Sequence, residues 1–104
     1  MKAKTFNILT LDSKGAKEQT IVFEGDLGIK NTEAIRSAIQ TLKFKSDTIN
    51  LHLKNVEKLD ITSIQNIRAL RKALYDRGKN VTTTAELPPE IERLLKNTGF
   101  DNSL

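Results

Sequence analysis

Thr48-Ile49-Asn50-Leu51-His52-Leu53, followed shortly by Asp60-Ile61-Thr62-Ser63-Ile64-Gln65-Asn66-Ile67, sets a strand against a helix in one short stretch of chain. Ile49, Leu51 and Leu53 alternate with Asn50 and His52. Successive strand side chains point to opposite faces, so one face of the sheet is apolar and the other is wet. A strand sandwiched between two layers of helices would read as a nearly continuous apolar run, so the alternation places the helices mainly on one face. After Asp60 the period changes. Ile64, Ile67, Leu70 and Leu74 form a helical stripe among Gln65, Arg68, Arg71 and Lys72.

Working outward, Thr5 to Leu11 and Thr20 to Glu24 read as strands, joined as an antiparallel hairpin by the polar segment Asp12 to Glu18. Gly25-Asp26-Leu27-Gly28-Ile29-Lys30-Asn31 reads as a turn. Asn31 or Thr32 is the expected cap of a first helix carrying Ile35, Ala38, Ile39 and Leu42. On the other side Gly78 ends the central helix, and Asn80 to Thr84 forms a strand. Pro88 or Pro89 opens a last helix with Ile91, Leu94 and Leu95, which Gly99 terminates. The expected fold is α/β: one domain spanning residues 1–104, with a small mixed four-stranded sheet and helices mainly on one face. Its core should set Ile35, Ile39, Leu42, Ile64, Ile67, Leu74, Ile91 and Leu94 against Ile49, Leu51 and Leu53.

A chain of 104 residues is long enough for one hydrophobic core. It has no cysteine, which removes disulfides, thiolate nucleophiles and thiolate ligands together. No apolar run approaches a membrane span, and Met1-Lys2-Ala3-Lys4 lacks a following apolar signal core, so a cytoplasmic protein without membrane insertion is expected. Seventeen basic and thirteen acidic residues leave a formal charge of +4, with the signs interspersed. A basic nucleic-acid-binding domain is the alternative from another functional class. One tyrosine and four phenylalanines supply no aromatic ladder for it.

The sequence has no phosphate-binding loop signature, Asp26 is an isolated carboxylate, and His52 is the single imidazole, so neither a cofactor nor a metal site is expected. A hydrolase would need Ser63 or Thr62 beside a general base and an oxyanion site, which the sequence does not establish. His52 reads as an ordinary exposed strand residue on the open face, where an imidazole could also relay a proton or contact a partner. Thr62 and Ser63 precede the central helical stripe, where a hydroxyl caps free backbone N–H groups. A phosphate there would add about 1.5–2 negative charges at a helix N-terminus that favours anions. Asp60 would repel that phosphate at short range; unphosphorylated, it would cap a turn, coordinate a partner's cation or orient the Thr62 hydroxyl.

The order of elements and several segments resemble the STAS family, the sulfate-transporter and anti-sigma-factor-antagonist domain, over Thr5 to Leu104. Phe23-Glu24-Gly25-Asp26-Leu27 with Asn31-Thr32-Glu33-Ala34-Ile35 looks like the family's glycine-acid-leucine turn and first helix. Leu53-Lys54-Asn55-Val56-Glu57-Lys58-Leu59-Asp60 looks like the approach to its signature turn. That turn commonly reads aspartate, a small residue, serine or threonine, then glycine. Here it reads Asp60-Ile61-Thr62-Ser63, with Ile61 and Ser63 as departures. The stretches from Arg68 to Gly78 and from Pro89 to Phe100 extend the match.

The resemblance implies a non-enzymatic regulatory module that binds a partner through Asp60, Ile61, Thr62, Ser63, Gln65 and Asn66, with Thr62 as the phosphoacceptor. The partner would be a regulatory serine/threonine kinase if the module is an anti-sigma-factor antagonist. It would be the ATPase of a phospholipid transport system if the module is that assembly's small STAS subunit.

Overall fold

The computed structural model describes residues 6–12 and 17–98, the last five by their backbone alone. The expectations for Thr5, for the side chains of Leu94 and Leu95, and for Gly99 lie outside the described residues. The elements are β1 (Phe6–Asp12), β2 (Glu18–Leu27), a 3-10 turn (Ile29–Asn31), α1 (Thr32–Thr41), β3 (Thr48–Leu59), α2 (Ile61–Asp76), β4 (Asn80–Ala85) and α3 (Pro89–Thr98). The strands form a small mixed sheet in the order β1-β2-β3-β4. β1 and β2 pair antiparallel, as the short link requires, and β2-β3-β4 are parallel across helical crossovers.

Register sorts the side chains into two faces. Ile8, Phe23, Leu53 and Ala85 fall in one row and Thr10, Ile21, Leu51 and Thr83 in the next. On this side α1 contributes Ile35, and α2 contributes Ile64, Ile67, Leu70 and Leu74, to one buried cluster with Ile21, Phe23, Ile49, Leu51 and Leu53. Ile39, Leu42 and Ile91 pack half-buried against it. The opposite face carries Leu11, Thr20, Asn50 and Thr82 in one row and Leu9, Val22, His52 and Thr84 in another. It is largely polar. Asn50 Nδ2 donates to Glu18 Oε1 at 3.1 Å, and the Thr82 hydroxyl donates to Asn50 Oδ1.

Two strands run further than the sequence pattern indicates. Gly25-Asp26-Leu27 continues β2 rather than forming a turn, and β3 extends to Leu59. The reason is a pair of register shifts: β2 advances four residues from Phe23 to Leu27 while β3 advances six from Leu53 to Leu59. Leu53, Val56 and Leu59 recur every third residue, which a period of two cannot keep on one face. Each extra residue on β3 restores the apolar side, so all three are buried. Asn55, at φ 51°, and Gly25, at φ 94°, take the left-handed backbone that the distortion needs.

Other local expectations are revised too. The Asn31 side chain does not cap α1 but donates to the Asp26 carbonyl at 2.7 Å, and the Thr32 hydroxyl is buried without a partner. Leu42 lies one residue beyond α1, in extended conformation. Gly78 does end α2. With φ 84° it lets its own N–H reach the Tyr75 carbonyl and the Lys79 N–H reach the Leu74 carbonyl. Gln19, buried on β2, ties down the chain entering β3. Its Oε1 accepts from the Lys45 and Ser46 N–H groups at 2.7 and 3.0 Å, and its Nε2 donates to the Lys43 carbonyl at 3.1 Å.

Replacing Ile67, only 1% exposed, with Ala should cost about 2–5 kcal/mol in urea unfolding. Gln19→Ala leaves the Lys45 and Ser46 N–H groups without their acceptor, for an expected loss of about 1–3 kcal/mol in the same assay.

Candidate functional site: the paired turns at the start of the two helices

β2 and β3 end side by side, with Leu27 opposite Leu59. The next N–H, that of Asp60, donates to the Leu27 carbonyl at 3.1 Å and joins the two exits of the sheet. Asp60 is still extended, at φ −103° and ψ 153°, so it sits at the N-cap of α2. Its Oδ2 accepts from the Thr62 N–H at 2.9 Å, and its carbonyl accepts from the Ile64 N–H at 3.0 Å. One aspartate thus ends the strand, caps the helix and fixes the backbone of Thr62.

The neighbouring exit is built the same way. Asp26, buried at the end of β2, accepts the Gly28 N–H on Oδ1 at 2.9 Å. A Cβ at Gly28 would lie 2.8 Å from that oxygen and 3.4 Å from Lys58 Cβ, so the turn closes only around a residue without a side chain. Both helices start at this edge of the sheet and pack against each other. Their N-terminal N–H groups give the edge a positive partial charge that favours an anion. Among the described residues no group of three His, Asp or Glu could hold a metal ion.

The residues that sequence reading selected part company here. Ile61, Thr62 and Gln65 are exposed, and Asn66 is half-buried with its Nδ2 unpartnered. Ser63 is completely buried, and its hydroxyl has no hydrogen-bond partner. Its expected place on the partner surface does not hold for the side chain. α2 begins at Ile61, so Ser63 lies a third residue into the helix and falls on the same inward side as Ile67, four residues on. The hydroxyl caps expected at Thr62 and Ser63 are replaced by the Asp60 carboxylate for the same reason. Ile29 was not selected, yet it is 70% exposed in the turn that follows the other exit, while Ile61 is 39% exposed. An isolated isoleucine between Gly28 and Lys30 gave no periodic signal.

No family model matches the chain, and no curated protein matches it. Solved structures do. An anti-sigma factor antagonist from Mycobacterium paratuberculosis superposes with a TM-score of 0.73 at 18% identity, over 96% of this chain and 83% of that one. An antisigma-factor antagonist STAS domain from Rhodobacter sphaeroides gives 0.58 at 18% identity, over 77% and 84%. The Bacillus cell fate determinant SpoIIAA in its phosphorylated form gives 0.56 at 16% identity, over 95% and 87%. The chain has the STAS fold.

If the two aspartate turns are the supports of this edge, Asp60→Ala should cost about 0.5–2 kcal/mol and speed hydrogen exchange at the Thr62 amide. Gly28→Ala should cost about 1–3 kcal/mol through the clash with Asp26. Unchanged Thr62 exchange in Asp60→Ala would remove the cap from this account.

Proposed function

We propose that the protein is a regulatory module of the anti-sigma-factor-antagonist type, acting in the cytoplasm by binding a partner protein and not by catalysis. The observation that carries this reading is the presentation of Thr62. It is an exposed hydroxyl in the first turn of a capped helix, with its own N–H held by Asp60. Such a hydroxyl is accessible to a kinase, and a phosphate on it would sit at the positive end of α2. The named functions of the structural neighbours support the same class, and one of them is a phosphorylated form. The partner in this reading is a regulatory serine/threonine kinase, which contacts Ile61, Thr62 and Gln65 and transfers phosphate to Thr62.

The added phosphate places about 1.5–2 negative charges at the centre of a contact that formed without them. Repulsion and desolvation then release the partner. Asp60 contributes to this, because its carboxylate already accepts the Thr62 N–H and competes with the phosphate for the same helix end.

The test is a titration of the candidate kinase against unmodified, phosphorylated and Thr62→Ala protein, with phosphosite mapping and matched thermal unfolding. Phosphorylation should weaken binding by about tenfold or more, equivalent to about 1.4 kcal/mol. Equal affinity for all three folded forms would reject Thr62 as the controlling position.

A further inference from the structure

His52 lies on the open face of the sheet, away from the helices and from Thr62. Its ring makes two contacts with β4 and the residue that follows it. Nδ1 is 2.6 Å from the Thr84 hydroxyl, and Nε2 is 3.0 Å from Glu86 Oε2. These contacts fix the tautomer. An ionised carboxylate can only accept, so in the neutral ring Nε2 carries the proton and Nδ1 carries the lone pair. The Thr84 hydroxyl therefore donates to Nδ1.

The result is a hydroxyl, an imidazole and a carboxylate in one hydrogen-bonded line, with the hydroxyl on an exposed residue and the imidazole side chain 22% exposed. This is the order of groups that turns a weak nucleophile into a reactive one. Thr82 provides an internal contrast. It lies two residues earlier on β4, on the same face and also exposed, but its hydroxyl donates to the amide oxygen of Asn50, which is not a base.

We propose that Thr84 is a second modification site, a base-activated hydroxyl that takes an acyl group from an activated acyl ester or thioester, with His52 as the general base and Glu86 as its positioning residue. The Thr84 oxygen attacks the acyl carbon and forms the new C–O bond while its proton passes to His52 Nδ1. The bond from the acyl carbon to the leaving oxygen or sulfur breaks, and the leaving group departs with that electron pair. The imidazolium then returns its proton to the leaving group or to water. The product is the Thr84 ester, and the relay makes the hydroxyl reactive toward one acyl group per chain. The acyl group stays on Thr84.

Two other charged residues lie near the ring in sequence and register. Lys54 is exposed two residues along β3, and Glu24 lies two residues beyond Val22, which pairs with His52 across β2. Protonating His52 removes the lone pair at Nδ1, so acylation should fall in acid and rise to a plateau as the ring becomes neutral.

p-Nitrophenyl acetate is the probe, with release of p-nitrophenolate giving the rate and peptide mass spectrometry giving the position. The expected result is at most one ester per chain, on Thr84 and not on Thr82, absent in Thr84→Val. His52→Gln should slow it on the order of a hundredfold, at the low end of general-base contributions, and should abolish the pH dependence. Glu86→Gln should slow it less while leaving the dependence in place. Each variant is compared at matched thermal unfolding, and if His52→Gln fails to fold, His52→Asn and the wild-type pH profile carry the test. Equal labelling of Thr82 and Thr84, or a Thr84 rate unchanged in the folded His52 variant, would overturn the proposal.

Discussion

The hydrogen bond from the Asp60 N–H to the Leu27 carbonyl depends on a mismatch in length between two neighbouring strands. Leu53, Val56 and Leu59 would alternate faces in a regular strand, and a slip of one residue reverses every side chain. Two extra residues on β3 turn Val56 inward, return Leu59 to the inward side and set it opposite Leu27. Only then is Asp60 at the sheet's edge with its N–H aimed at β2. The start of α2, the cap on that helix and the exposure of Thr62 all follow from this placement. The buried Asp26 turn, closed around Gly28, holds the other half of the same edge.

The two faces of the sheet solve different problems. On the helix side, burial of Ile21, Phe23, Leu51, Leu53 and the α2 stripe fixes the layers by apolar contact. On the open side no described helix covers the sheet, and neighbouring strands are tied by side-chain hydrogen bonds instead. Asn50 bridges β2 and β4, and His52 bridges β3 to Thr84 and Glu86. Val22 is buried among them, between Leu9 and His52 in the register. Polar groups that serve as ties on an exposed face remain accessible, which is why chemistry is left over there after the fold has been accounted for.

Much of this was legible in the sequence because it is periodic. The alternation through Ile49, Leu51 and Leu53, and the spacing of Ile64, Ile67 and Leu74, each carry one physical instruction, burial on one side, and the structure obeys it. The strand extensions were not legible because a bulge breaks the period that would reveal the strand. Ser63 was misplaced by a single residue of helix phase, which separates the exposed Thr62 hydroxyl from a fully buried one. The Gln19 clip and the His52 line were invisible for another reason. Each joins side chains whose partners are far away in the chain, and sequence spacing says nothing of which strands become neighbours.

The strand order in space is also the order along the chain. Every strand therefore pairs first with the one made just before it, and none has to be inserted between two strands already in place. Chain growth and sheet growth can proceed together, each new strand finding a single finished edge and paying only the closure of one intervening loop or crossover. The two crossovers, residues 28–47 and 60–79, are equally long, so the open edge of β2 waits for α1 and that of β3 waits for α2. During synthesis each of these edges, the first bearing Ile21 and Phe23, is exposed to pairing with the wrong chain until its partner strand is made.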